Sequence, residues 1–241
     1  MIDVSSLSRS SDWSSIHVAV AGLGVAGFGC ADALIQVGAR VTVTDSAVDG
    51  VVAERATLLE MLGATARLGE GDFLPPEIDL LVVSPGLPPS HPVIVRALAQ
   101  RIPVWGELEL AWRLRDLRAP APWLLVTGTN GKTTATLMLE SMLLASGERA
   151  VAAGNIGRSL VEVVMDPTGV DVIAVEVGAP QLPFVHSISP EAAVCLNLAP
   201  DHVDHFGSFE AYSAAKARVY ERTQIAAVYN ADDPATEHMV E

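Results

Sequence analysis

The sequence predicts an α/β fold made of two successive parallel-sheet units, and three observations predict it. Short apolar runs alternate with longer helical stretches along the 241 residues. Two glycine-rich loops, starting at Gly22 and at Thr127, each follow an apolar run and open a helical one. Between them, residues 118–123 (RAPAPW) carry prolines that cannot continue a helix. These prolines divide the chain into a domain at 1–118 and a second at 119–241.

The elements follow in order. HVAVA (17–21) is a strand, GLGVAGFG a turn, and CADALIQVG continues a helix to a glycine stop at Gly38. VTVTD (41–45) is the next strand, a helix follows over 52–62, and DLLVVS (79–84) is a buried strand ending in the turn PGLPPSHP. Residues 92–100 read as a helix, IPVW as a short strand and 107–118 as an amphipathic helix. After the linker come strand WLLVTG (123–128), a loop, and a helix from Lys132 to about Ser146. VDVIAVEV (170–177) and AAVCLNL (192–198) are further buried strands, 212–223 is helical, and AAVYN (226–230) is the last strand.

Composition narrows the function classes. Half of the residues are apolar, 18% are charged and mean hydropathy is +0.35, enough to fill two cores and unlike a disordered chain. No apolar run reaches the ~20 residues a membrane-spanning helix needs. The first residues, MIDVSSLSRSSDWSS, form no apolar signal region, and Cys30 and Cys195 sit in apolar segments as buried free thiols, so a reducing cytoplasm is expected. The net charge of −14 argues against nucleic-acid or anionic-membrane partners. It leaves room for anionic ligands gripped by backbone N–H groups and a few focused cations.

The first loop, Gly22-Leu23-Gly24-Val25-Ala26-Gly27, fits G-x-G-x-x-G between a strand and a helix. Such glycines let a pyrophosphate approach a helix N-terminus in a Rossmann-like domain; they also serve plain helix–strand packing. Asp45 ends the next strand 18 residues beyond Gly27, where an acidic group meets a ribose hydroxyl. Ser84, Pro85 and Gly86 follow another strand of the same unit, outside the carboxyl ends where open α/β sheets bind ligands. They read equally as a simple Pro-Gly turn.

The second loop is Thr127-Gly128-Thr129-Asn130-Gly131-Lys132-Thr133-Thr134. It is a phosphate cradle: backbone N–H groups wrap the phosphates, Lys132 supplies charge, and the Thr133 hydroxyl can hold Mg²⁺. Val126 stands where the usual G-x-x-x-x-G-K spacing places its first glycine. Downstream, Glu176 at a strand end can be a solvated carboxylate, His202 a capped loop histidine and Lys216 a surface lysine lying along its helix.

TGTNGKTT resembles the ATP loop of the Mur ligases, and further elements agree in order: Gly154-Asn155-Ile156-Gly157, Glu176, Asn197-Leu198-Ala199-Pro200-Asp201-His202, Ala215-Lys216-Ala217-Arg218-Val219-Tyr220 and Asn230-Ala231-Asp232-Asp233. The GLGVAG and VSPGL loops resemble the D-glutamate-adding branch of that family. The resemblance implies a Rossmann-like substrate domain followed by a P-loop-type ATP-binding domain. It also implies ATP-dependent amide formation in peptidoglycan precursor synthesis, with ATP and Mg²⁺ as cofactors and UDP-N-acetylmuramoyl-L-alanine and D-glutamate as substrates.

By the same resemblance, Gly128, Thr129, Asn130, Gly131, Lys132, Thr133 and Thr134 bind ATP. Thr133, Glu176, His202 and a carbamylated Lys216 hold metal, and Lys132, Glu176, His202 and Lys216 form the catalytic set. Val25, Ala26, Asp45, Ser84, Pro85 and Gly86 hold the uridine diphosphate, and Asn155 and Gln181 face the rest of the substrate. Two departures bear on activity. The family's serine-rich S-S-F-Q stretch reads Gly178-Ala179-Pro180-Gln181 here, and Ser46-Ala47 lacks the basic residue often found after the aspartate. The family's third domain, which binds the amino acid, has no counterpart in 1–241, so the chain is expected to be a fragment. A non-catalytic nucleotide-binding module and an NAD(P)-dependent oxidoreductase built on the first loop are the competing readings. The second phosphate loop speaks against the oxidoreductase.

Overall fold

A computed structural model describes residues 3–201 and 203–240. The chain divides into two compact units, Met1–Asp116 and Leu117–Glu241, each with its own five-stranded, wholly parallel sheet. No helix among the described residues is long and apolar enough to cross a membrane.

The first unit runs β1 (His17–Ala21), α1 (Val25–Gln36), β2 (Arg40–Asp45), α2 (Gly50–Met61), β3 (Thr65–Leu68), β4 (Leu80–Val83), α3 (Pro92–Ala99), β5 (Val104–Gly106) and α4 (Glu107–Leu114). Its strand order is β3-β2-β1-β4-β5. All residues of β1 and β4 are buried, which is why both read as unbroken apolar runs and not as alternating ones. The chain leaves β1 toward β2 on one side and later crosses to β4 on the other. The sheet therefore has its switch point between the carboxyl ends of β1 and β4.

The second unit runs β6 (Trp123–Thr127), α5 (Lys132–Ala145), β7 (Ala150–Gly154), α6 (Leu160–Met165), β8 (Val172–Glu176), β9 (Ala192–Cys195), α7 (Val203–Phe206), α8 (Phe209–Ala217), β10 (Ala226–Tyr229) and α9 (Pro234–Glu237). The order β10-β9-β6-β8-β7 again places the first strand in the middle, with its switch point between β6 and β9. Cys30 and Cys195 are buried free thiols, as expected.

The structure departs from the sequence reading at weakly patterned elements. Strands β3 and β7 and helix α6 were not expected. β3 (TARL) is a four-residue edge strand alternating exposed and half-buried, and β7 (AVAAG) lies at the opposite kind of extreme, an edge of small residues with little hydrophobic signal. The helix expected over 107–118 stops at Leu114, because Arg115 is extended (φ −61°, ψ 153°). The helix expected over 212–223 begins earlier, where the Ser208 hydroxyl accepts from the Ala211 N–H, and gives way to a 3₁₀ turn at Arg218–Tyr220.

A buried polar cluster closes the amino edge of the first sheet. His17, only 8% exposed, bonds through Nε2 to Thr42 Oγ1 (2.9 Å) and through Nδ1 to Arg40 Nη2 (2.8 Å). A guanidinium can only donate, so Nδ1 accepts and Nε2–H donates: the imidazole is neutral. Burial first, and the Arg40 charge second, hold its pKa below the ordinary 6.5; Asp79 and the Glu77 backbone oppose them. The unfolded chain therefore takes up this proton at a higher pH than the folded one. The His17 contribution to stability is complete above pH 6.5 and declines as pH falls through 6.5 toward the lowered value. In urea unfolding between pH 8 and pH 5, His17→Gln should flatten this part of the decline; an unaltered slope would show that His17 is not its source.

Candidate nucleotide and phosphate sites

In the first unit, the two loops at the switch point touch. A Cβ placed on Gly22 (φ 91°) would lie 2.7 Å from Ser84 Cβ, and one on Gly27 would lie 1.8 Å from the Gly22 carbonyl oxygen. Both functions of the glycines are thus present: Gly27 allows α1 to press on the turn, and Gly22 allows the turn to press on the β4 loop. Val25 and Ala26 open α1, whose N-cap, Gly24, has no side chain to satisfy the first N–H groups, and whose first turn holds no acidic residue. The rim is open, with Val25 58% exposed. Asp45 stands at the lip. Its Oδ2 accepts from Leu23 N (2.7 Å) and its Oδ1 from Ala47 N (2.9 Å), and each oxygen retains capacity for a further donor. Ser84 N donates to the Ala21 carbonyl (2.9 Å) and Leu87 N to the Ser84 carbonyl, so Pro85 and Gly86 form the tip of a closed turn beside the glycine loop.

In the second unit, the loop after β6 ends at Gly131, which takes a left-handed conformation (φ 79°) before α5 begins at Lys132. Lys132 curls back so that Nζ donates to the carbonyls of Gly128 and Thr129, both at 2.9 Å. The Thr133 hydroxyl donates to Glu176 Oε2 (2.8 Å), and Asn155 Nδ2 donates to Glu176 Oε1 (3.0 Å). Glu176 closes β8 and is 2% exposed. Thr133, from the first turn of α5, and Asn155, just past β7, therefore meet on the carboxylate that ends β8. Thr134 is exposed on the first turn of α5.

Lys216 enters the same loop from α8. It is 1% exposed, and its Nζ donates to the Gly128 carbonyl (2.8 Å) and lies 5.0 Å from the centre of the Tyr212 ring. Burial foremost, with the Lys132 charge also acting, pushes its pKa down to about 8. The surface-lysine reading does not hold for this side chain. Gln181 is buried, and its Oε1 accepts from Gly178 N (2.8 Å), closing the 3₁₀ helix Ala179–Phe184. His202 lies outside the described residues.

The residues that hold the phosphate loop in place carry no role in the sequence reading. Asn197, two residues past β9, accepts from Asn130 N (2.9 Å) and donates to the Asn130 carbonyl (3.1 Å). Thr129 N donates to the Asn197 carbonyl, and the Thr129 hydroxyl meets Ala199 N and Tyr212 Oη, both at 2.9 Å. Asp233 Oδ2 accepts from Leu198 N (2.8 Å), fixing the β9 exit from the far side. Asn197 was visible as part of a motif; its position at the β6/β9 switch point is what gives it a task.

Two open parallel sheets, each with a glycine loop at its switch point and one carrying a lysine-bearing loop between strand and helix, define a two-unit protein of the open α/β class. Family models identify residues 16–106 as the Mur ligase MurD-like N-terminal domain and 126–241 as the Mur ligase middle domain. The chain belongs to the Mur ligase family, on its MurD-like side. It is 50% identical over 232 residues to UDP-N-acetylmuramoylalanine--D-glutamate ligase of Streptomyces coelicolor, a match covering 95% of this chain and 49% of that protein. The enzyme of the same name from Leifsonia xyli is 48% identical over 248 residues, covering 95% and 47%. The chain thus spans about half the length of the curated relatives it matches.

Among solved structures, the fold resembles UDP-N-acetylmuramate:L-alanyl-gamma-D-glutamyl-meso-diaminopimelate ligase of Neisseria meningitides (TM-score 0.57, 21% identity, 93% of this chain and 74% of that one). It also resembles UDP-N-acetylmuramate-alanine ligase of Thermotoga maritima (TM-score 0.53, 22% identity, 93% and 51%).

The Asn197 clamp can be tested directly. Asn197→Ala removes two hydrogen bonds of an exposed pair, so the second unit should lose about 1 kcal/mol in urea unfolding. Asn197→Asp, which keeps the acceptor for Asn130 N and loses the donor, should lie between the two. Equal stability of all three proteins would show that the loop is held by other contacts.

Proposed function

We propose that this chain carries the UDP-substrate and ATP units of a ligase that joins D-glutamate to UDP-N-acetylmuramoyl-L-alanine in peptidoglycan precursor synthesis. The observation that carries this reading is the convergence of Thr133, Asn155 and Glu176 beside a phosphate loop holding Lys132. In the proposed reaction the substrate carboxylate attacks the γ-phosphate of ATP, releasing ADP and leaving an acyl phosphate; the amine of D-glutamate then displaces phosphate. Neither step requires a protein nucleophile, so the task of the residues is positioning and neutralisation of charge.

The residues present fit Mg²⁺. Thr133 and Glu176 offer a hydroxyl and a carboxylate side by side, the oxygen donors a hard cation takes alongside phosphates and water. When bound, Mg²⁺ would draw charge from the β- and γ-phosphates. Lys132 is proposed to release its two loop carbonyls and take up those phosphates, with the N–H groups of residues 128–134 around them. Asn155 is proposed to present the muramoyl-peptide end, and Gln181 to shape the loop beneath it. Val25, Ala26, Asp45, Ser84, Pro85 and Gly86 are proposed to hold the uridine diphosphate.

Lys216 is proposed to be carbamylated. A buried amine with a pKa near 8 keeps a neutral fraction that can add CO₂, turning a cation into an oxygen-bearing anion. Such an anion would be suited to the metal, together with His202. The resemblance assigns the D-glutamate site to a further domain, and a cytoplasmic location belongs to the same reading.

Lys132→Ala should abolish the thermal stabilisation of the chain by Mg-ATP while leaving the chain folded, since it removes a charge aimed at phosphates and only two hydrogen bonds within the loop. UDP-N-acetylmuramoyl-L-alanine should stabilise both proteins alike, by ~1–3 kcal/mol when present well above its dissociation constant. Stabilisation by NADH with none by the UDP ligand would instead support the oxidoreductase reading. D-glutamate-dependent phosphate release, assayed with the further domain present, tests the final step.

A further inference from the structure

A uridine diphosphate brings negative charge to a unit that contains no lysine and whose aspartate loop, Ser46-Ala47, offers no cation. The helix α1 terminus supplies partial charge alone. Among the described contacts, one arginine reaches this loop. Arg55, in the second turn of α2, is half-buried, and its Nη1 donates to the Leu23 carbonyl at 2.9 Å. Leu23 is the second residue of the glycine loop, and its own N–H is the one held by Asp45. Arg55 and Asp45 therefore grip the two backbone polar groups of one residue, Leu23, from α2 and from the end of β2.

Other arginines of the unit with described contacts are committed elsewhere. Arg40 bonds His17 at the amino edge of the sheet, and Arg113 pairs with the buried Glu109 (2.8 Å). Arg67 faces Glu70 and the Phe73 ring, Arg96 bonds the Asp72 carbonyl, and Arg115 lies over the Trp112 ring. The Leu23 contact uses one of the five N–H groups that a guanidinium carries, and the planar fork is suited to phosphate.

We propose that Arg55 is the cation that holds the diphosphate of the uridine nucleotide against the first glycine loop. It replaces from α2 the charge that the Asp45 loop lacks. This assignment rests on the reading of the first unit as the UDP site. The Leu23 bond keeps the guanidinium at the loop before the ligand arrives, so little side-chain freedom is lost on binding.

The test is titration calorimetry of the 241-residue chain and its Arg55→Gln and Arg55→Lys variants with UDP and with uridine. The phosphate contact predicts that Arg55→Gln weakens UDP about tenfold or more while uridine changes by less than about twofold. Arg55→Lys should fall between, and Arg55→Gln should also make UDP affinity less sensitive to salt. UDP and uridine weakening together would overturn the proposal, because Arg55 would then act only by shaping the loop through Leu23. Unchanged UDP affinity in Arg55→Gln would overturn it alone, leaving the UDP site standing. Failure of the parent chain to bind UDP would overturn the reading of the site itself and the proposal with it.

Discussion

A parallel sheet whose first strand lies in the middle leaves a gap between two strand ends, and in both units of this protein the chain must turn from strand to helix within that gap. In the first unit the turn has no space for ordinary side chains on its inner side. The Gly22 carbonyl would meet a Gly27 Cβ at 1.8 Å, and a Gly22 Cβ would meet Ser84. Small residues and close packing bring backbone N–H groups to the surface at the place where two loops converge. The units differ only in which strand lies beside the first on the side opposite the switch, β2 in one sheet and β8 in the other. That single exchange matters for chemistry. It puts Glu176, at the end of β8, next to the phosphate loop, where the first unit has Asp45 at the end of β2 gripping its own glycine loop. In each unit, then, the strand neighbouring the first one contributes a carboxylate at its carboxyl end.

An acidic chain proposed to take anionic ligands has to concentrate its few cations. Lys132 and Lys216 both donate to the same Gly128 carbonyl. Two ammonium groups sharing one acceptor repel each other, and that repulsion adds to burial in lowering the Lys216 pKa. The arrangement concentrates positive charge inside the loop. Tyr212 supports it twice, with its ring below Lys216 and its hydroxyl on Thr129. Helix α8 is thereby coupled to the loop through two neighbouring side chains, one helical turn apart.

The central strands were legible because burial on both faces leaves an unmistakable apolar run, as in β1, β4 and β8. The glycine loops were legible because their backbone demands restrict the residue type. Edge strands β3 and β7 were not, since half-exposed four- or five-residue strands carry little hydrophobic signal. Within the site, Lys132, Thr133, Asn155 and Glu176 could be named from motifs, and the structure brings the last three together. Asn197, Tyr212 and Arg55 could not be given a role, because each acts through a partner between 32 and 83 residues away in the chain. A motif names residue types at fixed spacing; it says nothing of which backbone group will stand opposite a side chain once strands are paired.

The state of Glu176 ties these points to metal binding. Its carboxylate is almost wholly removed from water, yet both of its described partners, Thr133 and Asn155, are neutral. Neutral donors orient a carboxylate without cancelling its charge, and a buried charge lacking a counter-ion is costly. Among the described residues, no basic side chain pairs with it: the nearest candidate by sequence motif, Lys132, spends its donors on Gly128 and Thr129. What remains is an oriented pair of oxygen groups, from Thr133 and Glu176, next to the lysine-bearing loop. A salt bridge would occupy this position permanently, whereas the proposed cation, arriving with the nucleotide, would neutralise Glu176 only when there is phosphate to bind. On the proposed reading, the uncompensated carboxylate would make metal and nucleotide binding mutually reinforcing, because the site would be poorly matched in charge until both are present.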